Sequence, residues 1–418
     1  MIARAVGCVV RTVGETVLAA LPGARIGDGV RIQLADGTVL GGEVAAVERA
    51  RVAIAPFGAL AGVAVGDRIA IDARALVVPV GSGALGRAFD AAGRPIDGGA
   101  PPEGATATVD RARAPAPGDR EPVRDIFWTG IRAIDGLLAI GRGARIGLFG
   151  APGAGKTTLL ETIAAGARGD AVIIALVGER GREAQSWLAR RDRRTTIVCA
   201  TSDRSAAERV RAADVAMTQA EFLRDRGAHV VLVVDSLARY TAALREQRVA
   251  FGEPVGRGGY PPTVWAELAR YLERAGNAAA GSITMLATVL SDGADDREPL
   301  SDAARSLLDG HIVLSSSLAR AQHFPAIDVV ASTSRTMSGV VGDDHARHAA
   351  AVRVALARLA ETSEARALGL ANYGDAALAA AVEAESALQA FLRQRGSAEP
   401  GAILDGLRSV AALVERRP

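Results

Sequence analysis

At 418 residues the chain is too long for one ordinary hydrophobic core and calls for two or three domains. Apolar residues make up 49% of it and aromatics only 4%, so its cores are filled by small aliphatic side chains. The net charge of +2 is spread through mixed-sign segments rather than a basic block, which argues against a nucleic-acid surface and for no nucleic-acid partner. Two distant cysteines, Cys8 and Cys199, exclude a disulfide scaffold or a zinc site, and both read as small buried hydrophobes.

In chain order, the N-terminal run MIARAVGCVVRTVGE is interrupted by Arg11 and Glu15 before it reaches the length of a signal peptide or membrane span, so a cytoplasmic location is expected. Residues 1–80 alternate short β-branched runs with Gly, Asp and Pro turns, the pattern of a small all-β barrel or sandwich. A Pro- and Gly-rich passage follows. From about Trp128 the rhythm changes to unalternated apolar runs (RIGLFG, AVIIALV, TIVCAT, HVVLVV, SITMLATV, HIVLSS) separated by helical patterns. Such runs are buried on both faces and predict a parallel sheet covered by helices within residues 81–343. Residues 344–418 hold only amphipathic helical patterns, a third and C-terminal domain.

The stretch GAPGAGKTT contains the only lysine of the chain: of 49 Lys and Arg, one is lysine and 48 are arginine. GAPGAGKT fits a P-loop, directly after the strand RIGLFG and opening the helix KTTLLETIA. Gly150, Gly153 and Gly155 let successive backbone N–H groups turn inward around phosphate oxygens along the segment Gly150, Ala151, Pro152, Gly153, Ala154 and Gly155, where every residue but Pro152 carries such a group. Lys156, Thr157 and Thr158 open the helix, whose N-terminus adds partial positive charge. Lys156 places a compact ammonium between the β- and γ-phosphates of a nucleotide, where a planar guanidinium would displace the loop. Thr157 offers a hydroxyl to Mg²⁺.

Two further strands end in acids. Glu179 follows AVIIALV at the carboxyl end of its strand, where it can orient and deprotonate an attacking water, and Arg180 beside it can neutralise phosphate charge. Asp235 ends HVVLVVDS and suits the carboxylate that holds Mg²⁺ through water. Surface salt bridges and a helix cap are the plainer alternatives for these residues.

The stretches GERGRE, DSLARY, GEPVGRGGYPPTVWAELARYLERAG, GSITMLATVL, SLLDGHIVLS, HFPAIDVVASTSR and FLRQ resemble the type III secretion ATPases, relatives of the catalytic subunit of rotary ATP synthases. The resemblance runs from about residue 80 to about 340. It implies a β-barrel N-terminal domain, a RecA-like P-loop core of α/β class and a helical C-terminal domain that docks chaperone–effector complexes. It further implies a homohexameric ring, stalk and stator partners of an export apparatus, and peripheral attachment at the cytoplasmic face of the inner membrane. There ATP and Mg²⁺ drive the release and unfolding of export substrates. It adds Arg335 as an arginine finger reaching a neighbouring subunit and Phe324 as the aromatic against adenine. The second adenine-packing aromatic of rotary relatives has no counterpart in RQRGSAEPGAI. An injectisome-type enzyme is favoured over a flagellar one. A rotary synthase subunit and a hexameric RNA translocase are the rival readings, the latter needing aromatics that residues 1–80, with Phe57 alone, lack.

Overall fold

The computed structural model describes residues 6–49, 51–111, 114–291, 298–370 and 375–415. The first five residues of the N-terminal run and the last three of the C-terminal helical stretch lie outside them. The chain divides into two compact units: Met1–Asp119 with Asp170–Gly281, and Arg120–Gly169 with Ser282–Pro418.

In the first unit, six strands close a barrel: Val6–Val13, Thr16–Ala20, Gly29–Gln33, Val39–Glu48, Arg51–Pro56 and Arg68–Ile71. Closure comes from antiparallel pairing of Val6–Cys8 with Arg68–Ala70. Alternation dictates the inside: along RVAIAP, Arg51 is exposed while Val52 and Ile54 turn inward to join Val9, Val17, Val30, Ile32 and Ile69. Each such Val or Ile contributes about 1.5–3 kcal/mol by leaving water. Gly7 is required because a Cβ there would stand 1.8 Å from the Ala20 carbonyl oxygen. The same alternation corrects one expectation. Val9 points into the barrel, so Cys8 points out and is exposed; only Cys199 is buried.

The first unit also carries four parallel strands in the order Ala88–Phe89, Thr195–Ala200, Ala171–Val177 and His229–Asp235. Every residue of the last three is buried, as continuous apolar runs require. The helix Ala206–Arg224 lies on them. It begins at a capping box in which Ser205 and Glu208 satisfy each other's backbone N–H.

In the second unit, Arg145–Gly150 runs parallel to both Ser282–Leu290 and Gly310–Leu314. Ile327–Ser334 adds an antiparallel edge strand beside Gly310–Leu314. Its buried residues are interrupted by exposed ones, so the sequence shows no continuous apolar run there. Beyond it the described chain is helical. Asp343–Glu361, Ala376–Leu392 and Pro400–Val414 pack on one another through Val352, Leu359, Leu388, Phe391, Ile403 and Leu407. Among the described residues no helix is long and apolar enough to cross a membrane.

Candidate active site

The phosphate loop lies in the second unit. Gly150 closes the buried strand Arg145–Gly150, and the helix Lys156–Gly166 starts six residues later. Gly153 and Gly155 sit at φ +80° and +93°, left-handed conformations that any side chain would strain, which is why the pattern needs glycine there. A Cβ on Gly150 would meet the Leu314 carbonyl at 3.0 Å. Between them Ala151 is half-buried, Pro152 exposed and Ala154 buried. The Lys156 ammonium folds back over the loop, donating to the carbonyls of Gly150 at 2.5 Å and Ala151 at 2.9 Å. An ammonium with three rotatable donors can exchange such carbonyls for phosphate oxygens without moving the backbone. Thr157 and Thr158 follow in the first helical turn, Thr157 half-buried and Thr158 exposed.

A cavity of about 480 Å³ opens beside this turn, lined by Ala154, Gly155, Thr158, Phe324 and Gln394 to Gly396 among others. Its lining is mostly apolar, the character of a site that takes a flat heterocycle. Phe324 is 43% exposed, so its ring presents a face rather than serving as core. Among the described residues no second aromatic lines this cavity; Gln394, Arg395 and Gly396 stand there instead.

The acids lie in the first unit. Glu179 follows the strand Ala171–Val177 and is buried, its carboxylate 2.5 Å from Arg239 Nη1. Arg239 also donates to the Gly178 carbonyl at 2.7 Å, so the guanidinium is anchored to the turn that carries Glu179. Burial, a hydrogen bond with Glu183 and the charge of Asp235 push the Glu179 carboxyl up to about 8, against the opposing pull of Arg239. Glu183 moves the other way, held below its ordinary range chiefly by that hydrogen bond. Glu179 thus holds the shared proton and Glu183 the charge. Asp235 closes the strand His229–Asp235 and is buried; Ser236 caps the next helix, Leu237–Ala250. Arg180 is exposed, at the N-cap of helix Gly181–Arg190. Arg239 and Glu183 were not singled out from sequence. The signal available was the i, i+4 spacing of Glu179 and Glu183 across a strand-to-helix turn.

Arg335 follows the edge strand Ile327–Ser334 and is exposed, its guanidinium donating to the Arg305 carbonyl at 3.1 Å. Phe57, the lone aromatic of residues 1–80, is buried, with the Arg211 guanidinium 3.8 Å from its ring centre. It offers no base-stacking platform of the kind single-stranded nucleic acid needs.

Residues 130–334 match the ATP synthase alpha/beta family, nucleotide-binding domain. The chain is 42% identical to the type 3 secretion system ATPase of Sinorhizobium fredii, across 93% of this chain and 88% of that protein. It is 38% identical to the flagellum-specific ATP synthase of Pseudomonas aeruginosa, across 89% and 84%. Among solved structures it is similar to the assembled ATPase EscN of the enteropathogenic E. coli type III secretion system, with a TM-score of 0.90 at 37% identity, covering 97% of this chain and all of that one. EscN in complex with its central stalk EscO matches with a TM-score of 0.88.

Proposed function

The chain belongs to the type III secretion ATPases, enzymes that hydrolyse ATP to energise protein export, and we propose that it works as a homohexameric ring of the injectisome type whose sites are completed by a neighbouring copy. The observation that carries the reading is the phosphate loop, with Lys156 poised over it, opening beside a mostly apolar cavity faced by Phe324. ATP enters with its base against Phe324 and its phosphates on the loop of Gly150 to Thr158. Thr157 gives a hydroxyl and Asp235 a carboxylate; both are hard oxygen donors of the kind Mg²⁺ takes alongside substrate phosphates. Bound there, Mg²⁺ would neutralise phosphate charge. Lys156 stabilises the β- and γ-phosphates. Glu179 takes a proton from the attacking water, and a carboxyl with raised proton affinity is a strong acceptor once ionised. Arg180 and the neighbour's copy of Arg335 offset charge on the transferring phosphoryl group.

The injectisome reading is supported by identities of 40–43% to several relatives named for type 3 secretion, against 36–38% to flagellum-specific ones. The ring is supported by the assembled form in which EscN was solved and by the exposure of Arg335. By the same likeness the ring meets a central stalk. Stator proteins, chaperone–effector complexes docking on residues 344–418, and attachment at the cytoplasmic face of the inner membrane complete the proposal. The three-part division at residues 80 and 343 assigns the barrel to assembly and the middle segment to catalysis.

The test is a concentration series. Specific ATPase activity of the wild type should climb steeply as copies associate, and Arg335→Ala should flatten that climb with nucleotide affinity retained. Arginine fingers contribute about 10³–10⁵ in kcat. Full activity in a monomeric preparation would remove the ring mechanism.

A further inference from the structure

Gln394 lies just beyond the helix Ala376–Leu392, and its amide is engaged on both sides. Oε1 accepts from the Arg132 backbone N–H at 2.8 Å; Nε2 donates to the carbonyls of Gly130 at 2.6 Å and Gly396 at 2.7 Å. The Gln394 backbone N–H donates to the Phe324 carbonyl at 2.9 Å. One acceptor and two donors is the full capacity such a side chain commonly uses. Neighbouring contacts reinforce the seat. Ala398 N–H donates to the Gly130 carbonyl at 2.9 Å, and the Arg132 guanidinium reaches the Arg393 carbonyl. Gly130 sits at φ +77°, and a Cβ there would stand 1.9 Å from Ser397 Oγ; on Gly166, at the end of the phosphate-loop helix, it would stand 2.4 Å from the same atom. The chain after the helix is therefore pressed onto two glycines, one beside Arg132 and one on the phosphate-loop helix. Gln394, Arg395 and Gly396 also form part of the lining that Phe324 shares.

We propose that Gln394 is a positioning residue for nucleotide binding: its amide holds residues 394–396 in place as a wall of the base cavity. The role rests on reading the cavity as the ATP site. Helix Ala376–Leu392 ends at this wall and helix Pro400–Val414 begins four residues after it, so a nucleotide that tightens the wall restrains both.

The full-length protein tests this with a fluorescent non-hydrolysable ATP analogue, steady-state kinetics and hydrogen exchange. Gln394→Ala and Gln394→Met should each raise Kd and KM about tenfold, with kcat at saturation within about twofold, because binding is lost equally from ground and transition states. In the wild type, analogue binding should slow exchange across residues 400–414; in both variants that protection should shrink while the melting temperature stays close to wild type. Gln394→Glu keeps the acceptor for Arg132 but loses both donors, and supplies the same readouts if the other variants do not fold. Unchanged Kd and unchanged protection in any folded variant overturn the proposal, as does a loss confined to kcat. Phe324→Ala separates the two readings. If it leaves analogue binding intact, the cavity assignment fails; if it weakens binding while the Gln394 variants do not, only the role of Gln394 fails.

Discussion

Arg274 and Lys156 are both cations folded into the protein, and they are held by opposite geometries. Arg274, 1% exposed, uses Nε and Nη2 to grip both oxygens of Glu221 at 2.9 Å and Nη1 to reach Asp214 at 3.1 Å; Asp214 takes a second arginine, Arg111, at 2.7 Å. Burial alone would lower the Arg274 pKa, but Glu221 and Asp214 hold it above the usual arginine range. A planar fork can bridge two carboxylates in this way and a point charge cannot. Lys156 instead rests on two loop carbonyls at the mouth of a helix, where a compact group can pivot onto a ligand. The contrast gives a physical reason for the one lysine among 49 basic residues. A rigid fork suits carboxylates held in fixed places, whereas a compact ammonium suits a glycine-bounded loop whose carbonyls it can leave for another partner.

The largest effect should come from breaking this division at the phosphate loop. Lys156→Arg keeps the charge yet replaces a compact donor with a plane, so ATP turnover should fall about 10³-fold. Phosphate-release kinetics check it, and near-normal turnover would mean that charge alone matters at position 156. The reciprocal exchange acts on stability. Arg274→Met leaves Glu221 buried without its cation and Asp214 with Arg111 alone, and should destabilise by about 3–5 kcal/mol. Arg274→Lys restores the charge without the fork and should recover only part of the loss. Urea unfolding measures both; full recovery by lysine would end the geometric distinction.

Much of the fold was legible because it is written locally. Unalternated runs such as AVIIALV and HVVLVV are fully buried strands, and Gly153 and Gly155 of GAPGAGKT sit at the left-handed conformations the pattern demands. What escaped is non-local or weakly patterned. Ala88–Phe89 is too short to show a period, and Ile327–Ser334 alternates as an edge strand does. The network joining Arg274 to Asp214 and Glu221 spans 60 and 53 residues, a pairing no spacing rule announces. Gln394 looks in sequence like any polar residue after a helix; only the folded chain brings Gly130, Arg132 and Phe324 around it. Cys8 was misread from residue type, although alternation with Val9 already pointed it outward.

The smallest expected effect concerns a carboxyl pair, and it sharpens the comparison between fixed and exchangeable charge. Both carboxylate oxygens of Glu221 are gripped by Arg274 at 2.9 Å, whereas Glu179, with Arg239 at 2.5 Å, still has its carboxyl pushed up to about 8 by burial, by Glu183 and by Asp235. If Glu179 is the base, kcat/KM should rise with pH through a midpoint near about 8, since that ratio reports the free enzyme. Glu183→Gln replaces the charged partner with a neutral amide, so ionising Glu179 no longer opposes a neighbouring carboxylate. The midpoint should then move down by about one unit, with little change in the plateau. Stability carries the matching signature. Between the ordinary 4.5 and about 8, folded Glu179 keeps a proton that the unfolded chain releases, so its contribution falls as pH rises through that window. Glu183, held low, contributes stability above its unfolded pKa and loses it as pH falls through its folded value. Removing the charge of Glu183 by Glu183→Gln should flatten both slopes in unfolding curves taken at intervals of pH. A kcat/KM profile that stays fixed in Glu183→Gln would show that burial and Asp235, without Glu183, set the Glu179 proton affinity.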